Sequence, residues 1–358
     1  MAAGSSLETI WDGATPPWPT RLALDAASLL WRAGRALHRG LYQLGLRRRV
    51  RLPAVVVSIG NLAVGGVGKT PVAAWLAHGL RERGLRVMVL ARGYRRAPGA
   101  ALNDEGAWLA AREPQLRVVQ AADRAAAARA ALAQAPCDVI LLDDGFQHER
   151  LARDLEVVLL DATAPFRNGR RLPRGPLRDP PAALARADWV VATRCERLAA
   201  DALTRCKAEL LRHAPHARFA ALRFVIASLR RGGRRAAATA LAGQPVVLCT
   251  GVGAPAQVRA TAEALGARVV AELRHPDHHA FTVADLAAAH ALAERHGATL
   301  LVTAKDAVKL DALAPDAAER YAVLEQEVEP VEGGAELLAA IVARASGGST
   351  ARISSSSP

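Results

Sequence analysis

The stretch from Ser58 to Pro71, SIGNLAVGGVGKTP, restricts this chain more than any other. It follows an apolar run at residues 54–57 and leads into an alanine- and leucine-rich segment ending near Leu80. That order reads as a buried strand, a glycine-rich turn and the start of a helix. Inside it, Ala63-x-x-x-x-Gly68-Lys69-Thr70 fits the P-loop pattern, with alanine at a first position that is often glycine. Gly65, Gly66 and Gly68 permit dihedrals that other residues avoid, so successive backbone N–H groups can point at a phosphate. The helix N-terminus behind them adds partial positive charge. Lys69 would reach the β- and γ-phosphates and Thr70 would hold Mg2+. The expected nucleotide site is therefore Ala63, Val64, Gly65, Gly66, Val67, Gly68, Lys69 and Thr70, with ATP and Mg2+ as its ligands.

A second apolar run, residues 138–142, ends in Asp143 and Asp144. An acidic strand tip at this interval after a P-loop is the usual second half of a metal-nucleotide site, so Thr70, Asp143 and Asp144 form the expected metal set. Strand-like runs near 87–90, 117–120, 157–161 and 189–193 alternate with helix-like segments, which predicts an α/β fold with a P-loop NTPase-type parallel sheet. Beyond a basic, glycine-containing turn at 230–235, further β-α alternation predicts a second, smaller α/β domain. At 358 residues the chain has room for both. The expected division is 1–51, an N-terminal amphipathic membrane helix; 52–228, the P-loop core; 229–345, the smaller domain; and 346–358, a disordered polar tail.

Within 18–46, steps of about 100° gather Arg21, Arg32, Arg35 and Arg39 into a sector of roughly 60° and put the leucines opposite. Such a helix suits the plane of a membrane, arginines toward anionic head groups, or the surface of its own domain. The net charge of +13 also asks for an anionic partner or surface. No run is apolar enough to span a bilayer, and no signal-peptide pattern opens the chain. Cys137, Cys195, Cys206 and Cys249 are scattered without C-x-x-C spacing, which argues against disulfide or zinc frameworks.

Four further polar stretches carry potential chemistry. Ala91-Arg92-Gly93-Tyr94-Arg95-Arg96 is a basic loop at a strand end, where open α/β sheets bind ligands. The loop at 166–178 is rich in arginine, glycine and proline. Asn103-Asp104-Glu105 is read as lying on a loop. Arg274-His275-Pro276-Asp277-His278-His279 admits a metal site, a helix cap at Asp277 or Thr282, or a histidine paired with a carboxylate across an interdomain cleft.

In their order, these blocks resemble the tetraacyldisaccharide 4'-kinase family of Gram-negative lipid A biosynthesis. The resemblance rests on the 58–71 stretch, Ala91 to Arg96, Asp143-Asp144-Gly145-Phe146-Gln147-His148, the 168–178 loop, Pro276-Asp277-His278-His279 and Thr303-x-Lys305-Asp306-Ala307-Val308-Lys309. It implies a peripheral, monotopic enzyme on the cytoplasmic face of the inner membrane. Such an enzyme would phosphorylate the 4'-hydroxyl of a tetraacylated glucosamine disaccharide 1-phosphate, and nucleic acid would not be a partner. It also implies catalytic roles for Asp104, as the base, and His278, as its orienting partner. Arg124, Gln147, His148, Arg170 and Arg178 are candidate contacts for the substrate head group. The family's Gly-Asp-Glu-Pro is here Asn103-Asp104-Glu105-Gly106, which leaves either acid open as the base.

A rival class is the membrane-associated P-loop ATPase switch of the partition or septum-positioning type. Those proteins carry a lysine just before the paired glycines, where this chain has Val64. A nucleic-acid-dependent ATPase would need stacking aromatics, yet aromatic residues are 4% of the chain.

Overall fold

The computed structural model describes residues 7–11, 13–94, 96, 99–199 and 201–353. Arg95 of the basic loop lies outside them. The chain divides into two units, residues 1–92, 116–224 and 328–358 in one, and residues 93–115 and 225–327 in the other.

Among the described residues of the first unit, strands follow the spatial order Arg117–Gln120, Val87–Ala91, Val139–Asp143, Val55–Asn61, Leu155–Asp161, Trp189–Thr193 and the start of Arg218–Arg231. Each neighbouring pair is parallel. Parallel strands covered on both faces need continuous apolar runs, and every residue of Val55–Asn61 is buried. The tips of Val55–Asn61 and Val139–Asp143 lie side by side, with Ile59 opposite Asp143, so their following loops emerge at one edge. That edge is where such sheets bind ligands. Helix Lys69–Arg81 buries Val72, Leu76 and Leu80. A Cβ added to Gly79 would come within 3.0 Å of Leu338, so the glycine lets helix Gly334–Ile353 approach closely.

The second unit carries four parallel strands in the order Arg268–Arg274, Pro245–Thr250, Thr299–Thr303 and the start of Ala322–Glu332. Its core includes Val247, Leu286, Leu300, Val302, Leu310 and Tyr321. Helix Asp104–Arg112 belongs to this unit and packs on helix Ala304–Leu313.

The α/β class and the parallel sheet agree with expectation; the domain limits differ in three places. Residues 93–115 leave the 52–228 segment to join the second unit, and residues 328–358 return to the first. The turn near 230–235 is a hairpin tip, and the unit boundary expected between 228 and 229 falls between 224 and 225: Arg218–Arg231 runs on and pairs antiparallel with Arg234–Ala237. The tail expected to be disordered from 346 continues as helix to Ile353. Adding residues to a helix already anchored by buried Leu337, Leu338 and Ile341 requires no new nucleus.

Helix Trp18–Gln43 packs part of its arginine-bearing side against its own unit, while Arg21 and Arg32 stay exposed. Arg35 pairs with Asp179 at 3.3 Å, Ser28 donates to the Arg171 carbonyl at 3.1 Å, and the Trp31 indole donates to the Arg178 carbonyl at 3.2 Å. Asp25 pairs with Arg174 as well. Part of the polar face thus docks on the 170–179 loop of its own unit, one of the two placements left open in the sequence. The opposite face leaves Trp18, Leu22, Leu29, Leu30 and Leu37 at least 60% exposed. Among the described residues, no helix is long and apolar enough to cross a membrane.

Candidate active site

The glycine turn in the first unit is held from several sides. Gly65 and Gly68 adopt φ of 118° and 86°, the left-handed region that favours glycine. At Gly68 a Cβ would also come within 2.2 Å of the Phe224 ring, so this position tolerates no side chain. The Thr193 hydroxyl donates to the Val67 carbonyl at 2.8 Å, and the Arg194 guanidinium donates to the Gly66 carbonyl. On the other flank, the Val64 N–H donates to the Pro176 carbonyl at 2.8 Å. These bonds occupy backbone carbonyls and fix the turn.

Lys69 opens the helix. Its Nζ lies 3.3 Å from Asn61 Oδ1 and 3.5 Å from Asp144 Oδ1. Thr70 follows, buried. Asp143 ends its strand and Asp144 follows it at φ 51°, so both acids stand at one strand tip. Arg178 donates to both Asp144 oxygens at 2.7 and 2.8 Å. Burial opposes ionisation of Asp144, but the Lys69 and Arg178 charges outweigh it and hold the carboxyl below its usual range. The arrangement therefore presents one lysine, one arginine, a threonine and two strand-tip acids around the phosphate-binding turn.

Of the expected head-group contacts, the structure brings four near this constellation. Gln147 donates to the Asn61 carbonyl at 2.9 Å and to Asp179 at 3.1 Å, while Arg178 is engaged by Asp144. Arg124 donates to the Asp143 carbonyl at 3.2 Å and lies 3.1 Å from His148 Nδ1. Burial and then the neighbouring Arg124 push the His148 imidazole down to about 3, so the ring is neutral at ordinary pH. Since arginine only donates, Nδ1 is the acceptor and Nε2 carries the proton. Arg170 is not gathered in; its side chain is exposed and its backbone closes the 168–177 turn.

Asp104 and His278 also meet, as the resemblance implies, at 3.1 Å between Oδ2 and Nδ1. Both belong to the second unit, which corrects the expectation that they face each other across an interdomain cleft. Asp104 sits in the first turn of helix Asp104–Arg112 rather than on a loop. Asn103 is that helix's N-cap, accepting from the Gly106 N–H at 3.0 Å, so the departure from glycine supplies a cap. Lys309 approaches Asp104 Oδ2 at 3.4 Å, and Lys305 takes Glu105 at 3.0 Å. His278 itself has φ 63°, with its N–H bonded to the Gly251 carbonyl at 3.2 Å.

His275, His279 and Asp285 approach within 4.8 Å of one another. Asp285 Oδ2, however, already accepts from the Thr282 N–H and hydroxyl, each at 2.8 Å, and lies 3.1 Å from His279. Of the two caps open in the sequence, Asp277 and Thr282, the structure uses Thr282, while the neighbouring His278 takes the carboxylate of Asp104.

Sequence reasoning missed Asn61, Thr193 and Arg194 as supports of the turn, and gave Lys309 no role. The first three stand at or next to C-terminal strand tips, a position that could have flagged them.

The chain as a whole is similar to known proteins. A family model for tetraacyldisaccharide-1-P 4'-kinase (LpxK) matches residues 20–345. The tetraacyldisaccharide 4'-kinase of Anaeromyxobacter dehalogenans strain 2CP-C is 42% identical over 369 residues, covering 94% of this chain and 95% of its own. That of Syntrophus aciditrophicus is 40% identical over 318 residues, covering 82% and 85%. Among solved structures, LpxK from Aquifex aeolicus in complex with ATP superposes with a TM-score of 0.72 at 27% identity, over 91% of this chain and 99% of that one. With the fold, the ordered motifs and a family match spanning nearly all of its length, the chain belongs to the tetraacyldisaccharide-1-P 4'-kinase family.

Proposed function

We propose that this kinase transfers the γ-phosphate of ATP to the 4'-hydroxyl of a tetraacylated glucosamine disaccharide 1-phosphate, giving the bis-phosphorylated lipid. The observation that carries the acceptor half is Asp104, a carboxylate on a capped helix N-terminus whose Oδ2 is held by His278 and Lys309. A nucleotide switch that only hydrolyses ATP has no need of such a second charged constellation. Asp104 would accept the sugar hydroxyl's proton as the oxygen attacks phosphorus, with His278 orienting the carboxylate.

The donor half fits the turn at 63–70. Its glycines leave open space where Cβ atoms would stand at Gly65 and Gly66. Thr70, Asp143 and Asp144 offer the hard oxygen donors that Mg2+ prefers. The ion would neutralise charge on the β- and γ-phosphate oxygens. Lys69 would stabilise the same charge, and Arg178 and Lys69 keep Asp144 ionised. Gln147, His148, Arg124, Arg170 and Arg178 remain the proposed head-group contacts.

The test is incubation with ATP, Mg2+ and tetraacyldisaccharide 1-phosphate, followed by mass spectrometry of the lipid. A product heavier by one phosphate is expected; ATP hydrolysis with unmodified lipid would favour the switch reading.

The exposed leucine face of helix Trp18–Gln43 supports peripheral attachment to the cytoplasmic face of the inner membrane, where the acylated acceptor resides. A fully buried leucine is worth about 1.5–3 kcal/mol. Leu30→Glu combined with Leu37→Glu should therefore reduce flotation with anionic liposomes by at least about tenfold. Unchanged flotation would remove this helix as the anchor.

A further inference from the structure

We propose that Lys309 is the positioning residue for Asp104, fixing which carboxylate oxygen receives the acceptor hydroxyl. The inference rests on Asp104 acting in transfer, as proposed above.

The ammonium group stands where three acceptors converge. Asp104 Oδ2 and Asp306 Oδ1 each lie 3.4 Å from Nζ, and the His279 carbonyl accepts from it at 3.0 Å. Asp306 is fully buried and one helical turn before Lys309. Its other oxygen accepts from the Thr303 hydroxyl at 2.7 Å and the Gly251 N–H at 3.2 Å. Lys309 is therefore moored from behind, and 17% side-chain exposure leaves it little freedom to follow solvent.

This mooring reaches both members of the pair. Lys309 contacts Asp104 directly. It also binds the carbonyl of His279, the residue next to His278, and the Gly251 N–H that holds Asp306 belongs to the residue whose carbonyl takes the His278 N–H. With Oδ2 shared between His278 Nδ1 and Lys309 Nζ, Oδ1 is the oxygen left to accept a substrate proton. The titratable and charged groups around the carboxylate are His278 and Lys309 in contact, Asp277 at 3.7 Å from His278 Nε2, Asp306 behind Lys309, and the adjacent Glu105–Lys305 pair. A cation beside the carboxylate favours its charged form. Without it a proton competes better, so the acid limb of the kcat profile moves to higher pH.

Lys309→Met is expected to lower kcat about ten- to a hundredfold, the scale of a misplaced catalytic group, with KM for both substrates nearly unchanged. The acid limb should move up in pH, and Lys309→Arg should restore its position by restoring the charge. Because Lys309→Met leaves Asp306 buried without its cation, the double variant Lys309→Met/Asp306→Asn is measured alongside. Asparagine keeps an oxygen for Thr303 and removes the lone charge. The same kcat loss and pH displacement in the double variant support positioning. An unmoved acid limb, or a change confined to KM, overturns it. Should Asp104→Asn be fully active, the reading of Asp104 falls; should Asp104→Asn be impaired while both Lys309 variants keep normal kcat and pH profile, only the role of Lys309 falls.

Discussion

Lys69→Ala is expected to lower kcat/KM for ATP-dependent lipid phosphorylation by at least about 10²- to 10³-fold, the cost of removing a preorganised charge from a developing anion. The structure also predicts that the fold survives. Lys69 Nζ contacts Asn61 and Asp144 at 3.3 and 3.5 Å, and Asp144 remains paired with Arg178 when the lysine is removed. Its pair with the partly exposed Asp144 is worth about 0–1 kcal/mol at most. In a chain of 358 residues that is at most about 1–2 °C of Tm, readily separated from a loss of activity. Lys69→Arg should not rescue, because a planar guanidinium cannot replace a compact ammonium between Asn61 and the strand tip. The measurement is steady-state kinetics with thermal denaturation of each variant; near-normal turnover in Lys69→Ala would exclude the glycine turn from the mechanism.

What the sequence made legible followed from local chemistry. The glycine turn, the strand before it and the aspartates at 143 and 144 each depend on a few consecutive residues, and each lies where it was read. The Asp104–His278 pair came through the family resemblance, since 174 positions separate the two residues and no local pattern links them. The unit boundaries were illegible for a related reason. Residues 93–115 lie between two strands of the first unit, and only the packing of Asp104–Arg112 on Ala304–Leu313 assigns them to the second. The helix Trp18–Gln43 shows the opposite limit. Its periodicity revealed two faces, but not that Asp179, distant in sequence, would claim Arg35 and turn part of the basic face inward. Composition separates faces; the partner decides which one is used.

The choice between Asp104 and Glu105, open in the sequence, leads to the second large effect. Asp104→Asn should lower kcat about 10²- to 10⁴-fold with little change in KM, as for a group that acts only while the proton moves. Asparagine is nearly isosteric and leaves the Asn103 cap intact, so a stability loss is not expected to confuse the result. Glu105→Gln should cost far less. Glu105 is paired with Lys305, whereas Asp104 has both His278 and Lys309 on a single oxygen. That arrangement matters chemically: a base must hold one oxygen toward the hydroxyl, and Asp104 has its opposite oxygen pinned from two directions. His278→Ala should fall between the two variants, because the histidine acts through the carboxylate rather than on the hydroxyl. If Glu105→Gln proves the more damaging change in kcat, the base is Glu105, and the charges gathered on Asp104 Oδ2 serve the fold of the second unit instead.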